Sequence, residues 1–214
     1  MNKTSEQLSA KGELHDPIVI THPEPWQWEV LAKGFLPDPV LNFWLGEKTD
    51  LTLLENFFEA VVKDTLISGG GVFASPDHKV VIVWTWHGGE ANEWKKKWKE
   101  ILGPEGVKRY NSVYNDGDVL LDSDTKKNSM LPDYISVLPE AQGQGYGTHI
   151  LKWTLNHYDE LGFETPHILA STRRSAKLYA AMWGFHNHKV VQIVEGDEDA
   201  AIFMKRDERT QKRS

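Results

Sequence analysis

The densest chemical signal in the chain lies in Tyr134-Ile-Ser-Val-Leu-Pro-Glu-Ala-Gln-Gly-Gln-Gly-Tyr-Gly-Thr-His-Ile-Leu151. An apolar stretch runs into a proline, then into glycines at 143, 145 and 147. Ile150, Leu151, Thr154, Leu155, Tyr158 and Leu161 then recur at helical spacing. Glycines between a strand and a helix let the backbone come close to a ligand, and the free N–H groups of the first helical turn favour an anion such as a diphosphate. A nucleotide-hydrolase phosphate loop requires Gly-Lys-Ser or Gly-Lys-Thr, whereas Gly147 is followed by Thr148-His149. A dinucleotide fingerprint requires Gly-x-Gly-x-x-Gly, whereas these glycines are spaced two and two. What remains is Gln-x-x-Gly-x-Gly, written here Gln142-Gly-Gln-Gly-Tyr-Gly147 after Val137-Leu138-Pro139. A glycine-rich turn that merely opens a helix is the chemistry-free alternative.

A second cluster follows some thirty residues on, in Leu169-Ala-Ser-Thr-Arg-Arg-Ser-Ala-Lys-Leu-Tyr-Ala-Ala-Met-Trp-Gly-Phe185. It reads as a strand, a short helix bearing Leu178-Tyr179, and Gly184-Phe185 opening another strand. In this order and spacing, the two clusters resemble the acetyl-CoA loop and second signature of the GNAT superfamily of N-acetyltransferases. The resemblance implies that Ile135, Ser136 and Val137 pair with the pantetheine arm as an added strand and that the same strand's amides polarise the thioester carbonyl. It implies that the backbone of Gly143, Gln144, Gly145, Tyr146, Gly147 and Thr148 cradles the diphosphate, with Gln142 where the family carries Gln or Arg. Tyr179 matches the tyrosine that returns a proton to the departing thiolate. An unperturbed phenol keeps its proton at neutral pH, with a pKa of about 10. The alternative for Tyr179 is a core tyrosine on an amphipathic helix. One departure stands out: where the family often places an asparagine against the cofactor, the two candidate positions hold Thr172 and Ser175.

Ala32-Lys-Gly-Phe-Leu-Pro-Asp-Pro-Val-Leu-Asn-Phe-Trp-Leu45, with the aromatic helix after it, resembles the N-terminal half of puromycin-type acetyltransferases, which acetylate amines of small molecules. Amine attack needs a base to remove the ammonium proton. Leu131, Asp133, Ile135 and Val137 alternate along the strand before the loop, which predicts one shared face and makes Asp133 the candidate base. Acidic bases of related histone acetyltransferases match Leu131 instead. His167, His87 and Glu140 are further candidates, and a strand-start aspartate is the plain alternative. Trp84 and Trp86 alternate on one strand, and their face is the expected acceptor wall. The helical positions of Trp28, Trp94, Trp98, Trp153 and Trp183 point to core packing.

Positioning these groups needs a scaffold, and the pattern supplies one. Pro17–Ile20 reads as extended, 24–35 and Leu51–Ile67 as amphipathic helices, and Val72–Ala74 and Lys79–Trp86 as strands joined by Ser75-Pro-Asp-His78. A helix over Glu90–Leu102 is expected to stop at Gly103-Pro104-Glu105-Gly106, with helix around Tyr110 to Tyr114 and a polar loop over Asp116–Asn128. A final strand falls around Ala200–Lys205. The fold class is α/β (α+β), and the resemblance implies a single mixed, mostly antiparallel central sheet with flanking helices, splayed around an acetyl-CoA cleft. Residues 1–16 read as a polar leader, 17–205 as one N-acetyltransferase domain and 206–214 as a basic tail, with a nuclear-targeting role open for the tail.

The chain's 214 residues include no cysteine, which excludes thiol nucleophiles, zinc–thiolate sites and disulfides. With no cysteine to carry an acetyl group, transfer must be direct. Net charge is −7, which disfavours nucleic acid and suits a cationic acceptor or plain solubility. No apolar run spans a bilayer and no signal core opens the chain, so the expected compartment is cytoplasmic. The expectation is therefore an acetyl-CoA-dependent N-acetyltransferase acting on a primary amine of a small molecule. It needs no metal, no nucleic acid and no membrane, and works as a monomer or homodimer. The alternatives are a protein lysine or N-terminal acetyltransferase and a non-catalytic acyl-CoA sensor.

Overall fold

The computed structural model describes residues 14–46, 49–88, 94–193 and 201–206. The leader up to residue 13, the helix start expected at 90–93 and the tail beyond 206 lie outside the described residues, as does the Trp94 side chain. Four strands form an antiparallel sheet in sequence order: β1 (Ile18–Ile20), β2 (Gly71–Ala74), β3 (Val80–Trp86) and β4 (Met130–Val137). Both faces are covered, and the alternation of side chains sorts them between two cores. Val72, Ala74, Val81 and Val83 face one core, while Phe73, Ile82 and Trp84 face the other.

The first core is capped by α1 (Pro25–Phe35), α2 (Pro39–Leu45), α3 (Leu51–Ile67) and α4 (Trp94–Gly117). The stripe expected on α1 is buried at Leu31 and Ala32, and Trp28 and Phe35 pack at its margin. Asp50 caps α3 by accepting the Leu53 N–H at 2.8 Å. Gly103-Pro104 does not end α4. Gly103 takes a positive φ of 64° and kinks the chain, because proline suits the first turn of a new helical piece. That second piece carries Tyr110 and Tyr114 inward. Part of the expected polar loop forms a short helix, α5 (Ser123–Lys127), capped by Asp122.

The second core lies under α6 (Tyr146–Glu160) and α7 (Arg173–Trp183). A separate antiparallel sheet completes it, in the order β5 (His167–Ala170), β7 (Ile202–Arg206), β6 (Phe185–Val190). Trp28 and Trp98 pack on the first core and Trp153 and Trp183 on the second, as their helical spacing predicts. Among the described residues, no helix is long and apolar enough to cross a membrane.

Candidate active site

The two sheets meet edge to edge, and the way they meet creates the site. β4 ends the first sheet and β5 begins the second. Near their starts they are linked: Met130 N–H donates to the Glu164 carbonyl at 2.9 Å and Glu164 N–H to the Asn128 carbonyl at 2.8 Å. Past that parallel bridge no ladder joins them among the described residues, so the strands diverge and leave facing edges of peptide groups. A narrow cleft lies between them. Phe35, Asp38 and Trp44 from the α1–α2 region, Tyr114 from α4, Asp133 and Tyr134 from β4, and His167 and Ser171 from the β5 side line it.

Asp133 reaches this cleft through an irregularity in the ladder. Tyr134 lies opposite Val83 and Pro132 opposite Trp84, so Asp133 is the extra residue of a β-bulge. The bulge breaks the alternation expected from sequence. Ile135 and Val137 pack toward the α6 core, whereas Leu131 and Asp133 line the cleft. The Asp133 carboxyl accepts a hydrogen bond from Thr85 and lies within electrostatic reach of His87. Burial pushes its pKa up from the ordinary carboxylate value, and His87 and Thr85 pull it partly back. The phenols of Tyr110, Tyr114 and Tyr134 are buried and further disfavoured from ionising by the Asp133 charge, so they keep their protons.

The glycine loop sits at the far end of β4. Pro139–Ala141 makes one 3-10 turn, and Gly143 and Gly145 take positive φ values of 78° and 98° that L side chains rarely adopt. Around Gly143 an added Cβ would meet nothing within 4 Å, so the loop opens onto free space. Gly145 is the N-cap of α6 and offers no side chain to its first N–H groups. The cradle therefore fits a diphosphate through its own donors. The Gln142 side chain folds back to the Val137 carbonyl at 3.2 Å and Gln144 to the Glu140 carbonyl at 2.8 Å. Tyr146 turns away from the cleft, its hydroxyl donating to Asp77 Oδ2 at 2.6 Å.

Tyr179 is half-buried on α7, near Trp183 and within electrostatic reach of Asp38. Burial, and secondarily the Asp38 charge, push its pKa well above the usual phenol value, so the group holds a proton throughout the physiological range. Asp38 caps α2 by accepting the Val40 and Leu41 N–H groups at 3.0 and 2.9 Å, and it also accepts from the Ser171 hydroxyl. Those contacts lower its pKa, but burial outweighs them and leaves it raised. Asp38 and Ser171 are cleft residues that sequence reasoning missed. Asp38 lies 133 residues before Ser171, and the Asp38-Pro39 dipeptide reads only as a helix start.

Thr172 and Ser175 are engaged locally: Thr172 is the N-cap of α7, its Oγ1 accepting the Ser175 N–H at 3.2 Å, with the two hydroxyls 3.1 Å apart. The tryptophan wall is not where the strand pattern put it. Trp84 is fully buried against Tyr158 on the α6 side, with ring centroids 4.8 Å apart. Trp86 donates its indole N–H to the Lys127 carbonyl at 2.9 Å. Their shared face is the one α6 covers, so neither lines the cleft. Glu140 is exposed in the turn before the loop. His167, in contrast, lines the cleft and is buried. Desolvation first, then the neighbouring His87, Lys205 and His188, hold its pKa down at about 3.

Residues 113–185 match the model of the acetyltransferase (GNAT) family. No curated protein sequence matches the chain. Among solved structures, the chain is similar to a "histone acetyltransferase HPA2 and related acetyltransferase" from Corynebacterium glutamicum. The identity there is 18%, with 92% of this chain and 99% of the other covered and a TM-score of 0.58. It is also similar to an N-acetyltransferase from Staphylococcus aureus Mu50, with 16% identity, 87% and 98% covered and a TM-score of 0.53. The matched segment holds β4, the glycine loop, α6, β5 and α7, the elements that build the cleft. The family match thus falls on the second half of the chain, and the likeness to these two solved structures is one of fold.

Proposed function

We propose that this chain transfers an acetyl group directly to a primary amine of a small molecule, with Asp133 as base and Tyr179 as acid. The observation that carries the reading is the splayed β4–β5 cleft, with a carboxylate aimed into it by a bulge and a glycine cradle at its open end. Acetyl-CoA supplies the activated acetyl thioester. The free edge of β4 at Ile135–Val137 and the N–H groups from Gly143 to Thr148 are the donors suited to hold it.

Asp133 takes a proton from the acceptor ammonium: an N–H bond breaks, an O–H bond forms on the carboxylate, and the nitrogen lone pair is freed to attack. Its raised pKa makes it a better proton acceptor than an exposed aspartate. Tyr179 retains its proton until sulfur needs one. With no cysteine in the chain, no acetyl-thiol enzyme can intervene. The resemblance of residues 32–45 to puromycin-type acetyltransferases supports the same acceptor class.

The test is a thiol-release assay with acetyl-CoA against small amines, including polyamines and puromycin-like compounds, alongside a histone peptide. Turnover on small amines is expected. Turnover on the peptide alone would transfer the reading to a protein acetyltransferase, and tight acetyl-CoA binding without turnover on any acceptor would make the protein a sensor.

A further inference from the structure

A second opening lies beside the first turn of α6, and no residue that lines it lines the cleft. It is a cavity of about 410 Å³, within the range of roughly 300–1,000 Å³ that small-molecule sites span. Leu14, Pro17, Val80 and Ile150 make most of its wall apolar. The segment before β1 forms one side and is held to α6 by His149, whose Nε2 lies 3.0 Å from the His15 carbonyl.

The side-chain protons on this wall are already engaged. A carbonyl can only accept, so His149 Nε2 carries the proton in its bond to His15, and Nδ1 of the neutral ring is left as an acceptor. The Tyr146 hydroxyl donates to Asp77 Oδ2 at 2.6 Å. Ser75 is buried, its Oγ accepts the Lys79 and Val80 N–H groups at 3.0 and 3.3 Å, and its own proton goes to Asp77. Pro17 and Pro76 bring no N–H at all. Lys79 Nζ, held 3.1 Å from Asp77 and 3.3 Å from the Tyr146 hydroxyl, is not part of the wall. A carboxylate accepts about four hydrogen bonds, and Asp77 takes three, from Tyr146, Ser75 and Lys79. Burial works against its charge, but those bonds keep it ionised. An anion would meet like charge and lone pairs here, whereas a cation that brings its own protons meets their complement.

We propose that this cavity binds a small primary ammonium carried on a short apolar body, with the head on Asp77 and Tyr146 and the tail over Val80 and Ile150. The site stands apart from the cleft, and its ligand does not depend on acetyl transfer.

The test needs no acetyl-CoA. The full chain is labelled with ¹³C-histidine, and its His15, His149 and His167 signals are assigned with His15→Gln, His149→Gln and His167→Gln. Hexylamine, an ammonium at pH 7.5, is titrated at fixed pH, with hexanoate and 1-hexanol as controls. One saturable curve shared by His15 and His149 is expected, with both controls weaker by about tenfold or more. Asp77→Asn is expected to weaken hexylamine by about tenfold, the loss of one charge-assisted bond. Leu14→Trp, which fills the cavity from its own wall, is expected to abolish the curve while the His167 signal keeps its wild-type position and reports an intact fold. No shift at His15 and His149, including shifts confined to His167 on the cleft wall, would overturn the proposal. Equal responses to hexanoate or hexanol, wild-type affinity in Asp77→Asn, or binding that survives Leu14→Trp would do the same. A chain that acetylates no amine would leave it standing.

Discussion

The Tyr146 hydroxyl donates to Asp77 Oδ2 at 2.6 Å, and Lys79 Nζ closes the group at 3.3 Å from the hydroxyl and 3.1 Å from the carboxylate. Tyr146 stands inside the glycine loop and Asp77 in the β2–β3 turn, so the contact ties that loop to the rigid sheet. Burial works against the Asp77 charge, yet hydrogen bonds from Tyr146, Ser75 and Lys79 hold its carboxyl down at about 2. The tether is therefore present across the working pH range and lost only as pH falls through that value. Tyr146→Phe removes the bond and leaves the ring. The expected result is a rise in KM for acetyl-CoA of roughly fivefold, the equivalent of about 1 kcal/mol, with kcat close to wild type. An unchanged KM in initial-rate measurements would show that the loop holds its shape without the tether.

Tyr179 offers a sharper separation of binding from chemistry. Replacing it by Phe leaves α7 packing intact and removes only the hydroxyl. Loss of a general acid is expected to lower kcat by about 10²-fold or more, with acetyl-CoA affinity by calorimetry within a factor of about two. A variant with full turnover would assign Tyr179 to packing beside Trp183 and nothing else.

Asp133 carries opposite consequences for activity and stability. As the proposed base it must be ionised, so wild-type activity is expected to fall as pH drops through its raised folded pKa, and Asp133→Asn is expected to remove that limb together with most of the rate. For folding the sign reverses. A carboxyl whose folded pKa lies above its unfolded value favours the fold below the unfolded value of 3.8 and loses that contribution as pH rises through the folded one. Asp133→Asn is therefore expected to melt higher than wild type at pH 7, with the gap closing toward pH 4. A lower melting temperature at pH 7 would mean that the Thr85 and His87 contacts outweigh the cost of burial.

The second sheet is anchored to α6 by a pair that behaves conventionally. Arg206 on β7 grips Asp159 with two nitrogens, at 3.3 and 3.2 Å, and the two side chains are only 15% and 4% exposed. Burial pushes the Arg206 pKa down from its ordinary value. Asp159→Ala would leave the guanidinium enclosed without its partner, at a cost of about 3 kcal/mol. For a chain of this size that corresponds to a melting temperature roughly 10 °C lower. A change within 2 °C in differential scanning calorimetry would show that water replaces the carboxylate there.

Much of the cleft's machinery is local, and the amino-acid sequence by itself determined it. Gly143 and Gly145 can occupy positive φ where other residues are strained, and the helix after them is periodic. These features depend on neighbours a few residues apart, so spacing alone reports them. Only the tertiary structure decided the rest. Alternation assumes an unbroken ladder, and one extra residue opposite Val83–Trp84 turned Asp133 into the cleft while Ile135 and Val137 kept to the α6 core. Trp84 and Trp86 share a face as their spacing requires, but which face is covered depends on where α6 returns, sixty residues later. Asp38 meets Ser171, and the His87 ring comes to 6.5 Å from the His167 ring, because two sheets splay at one seam. Contacts of that range are made by packing, and no pattern within a strand or helix carries them.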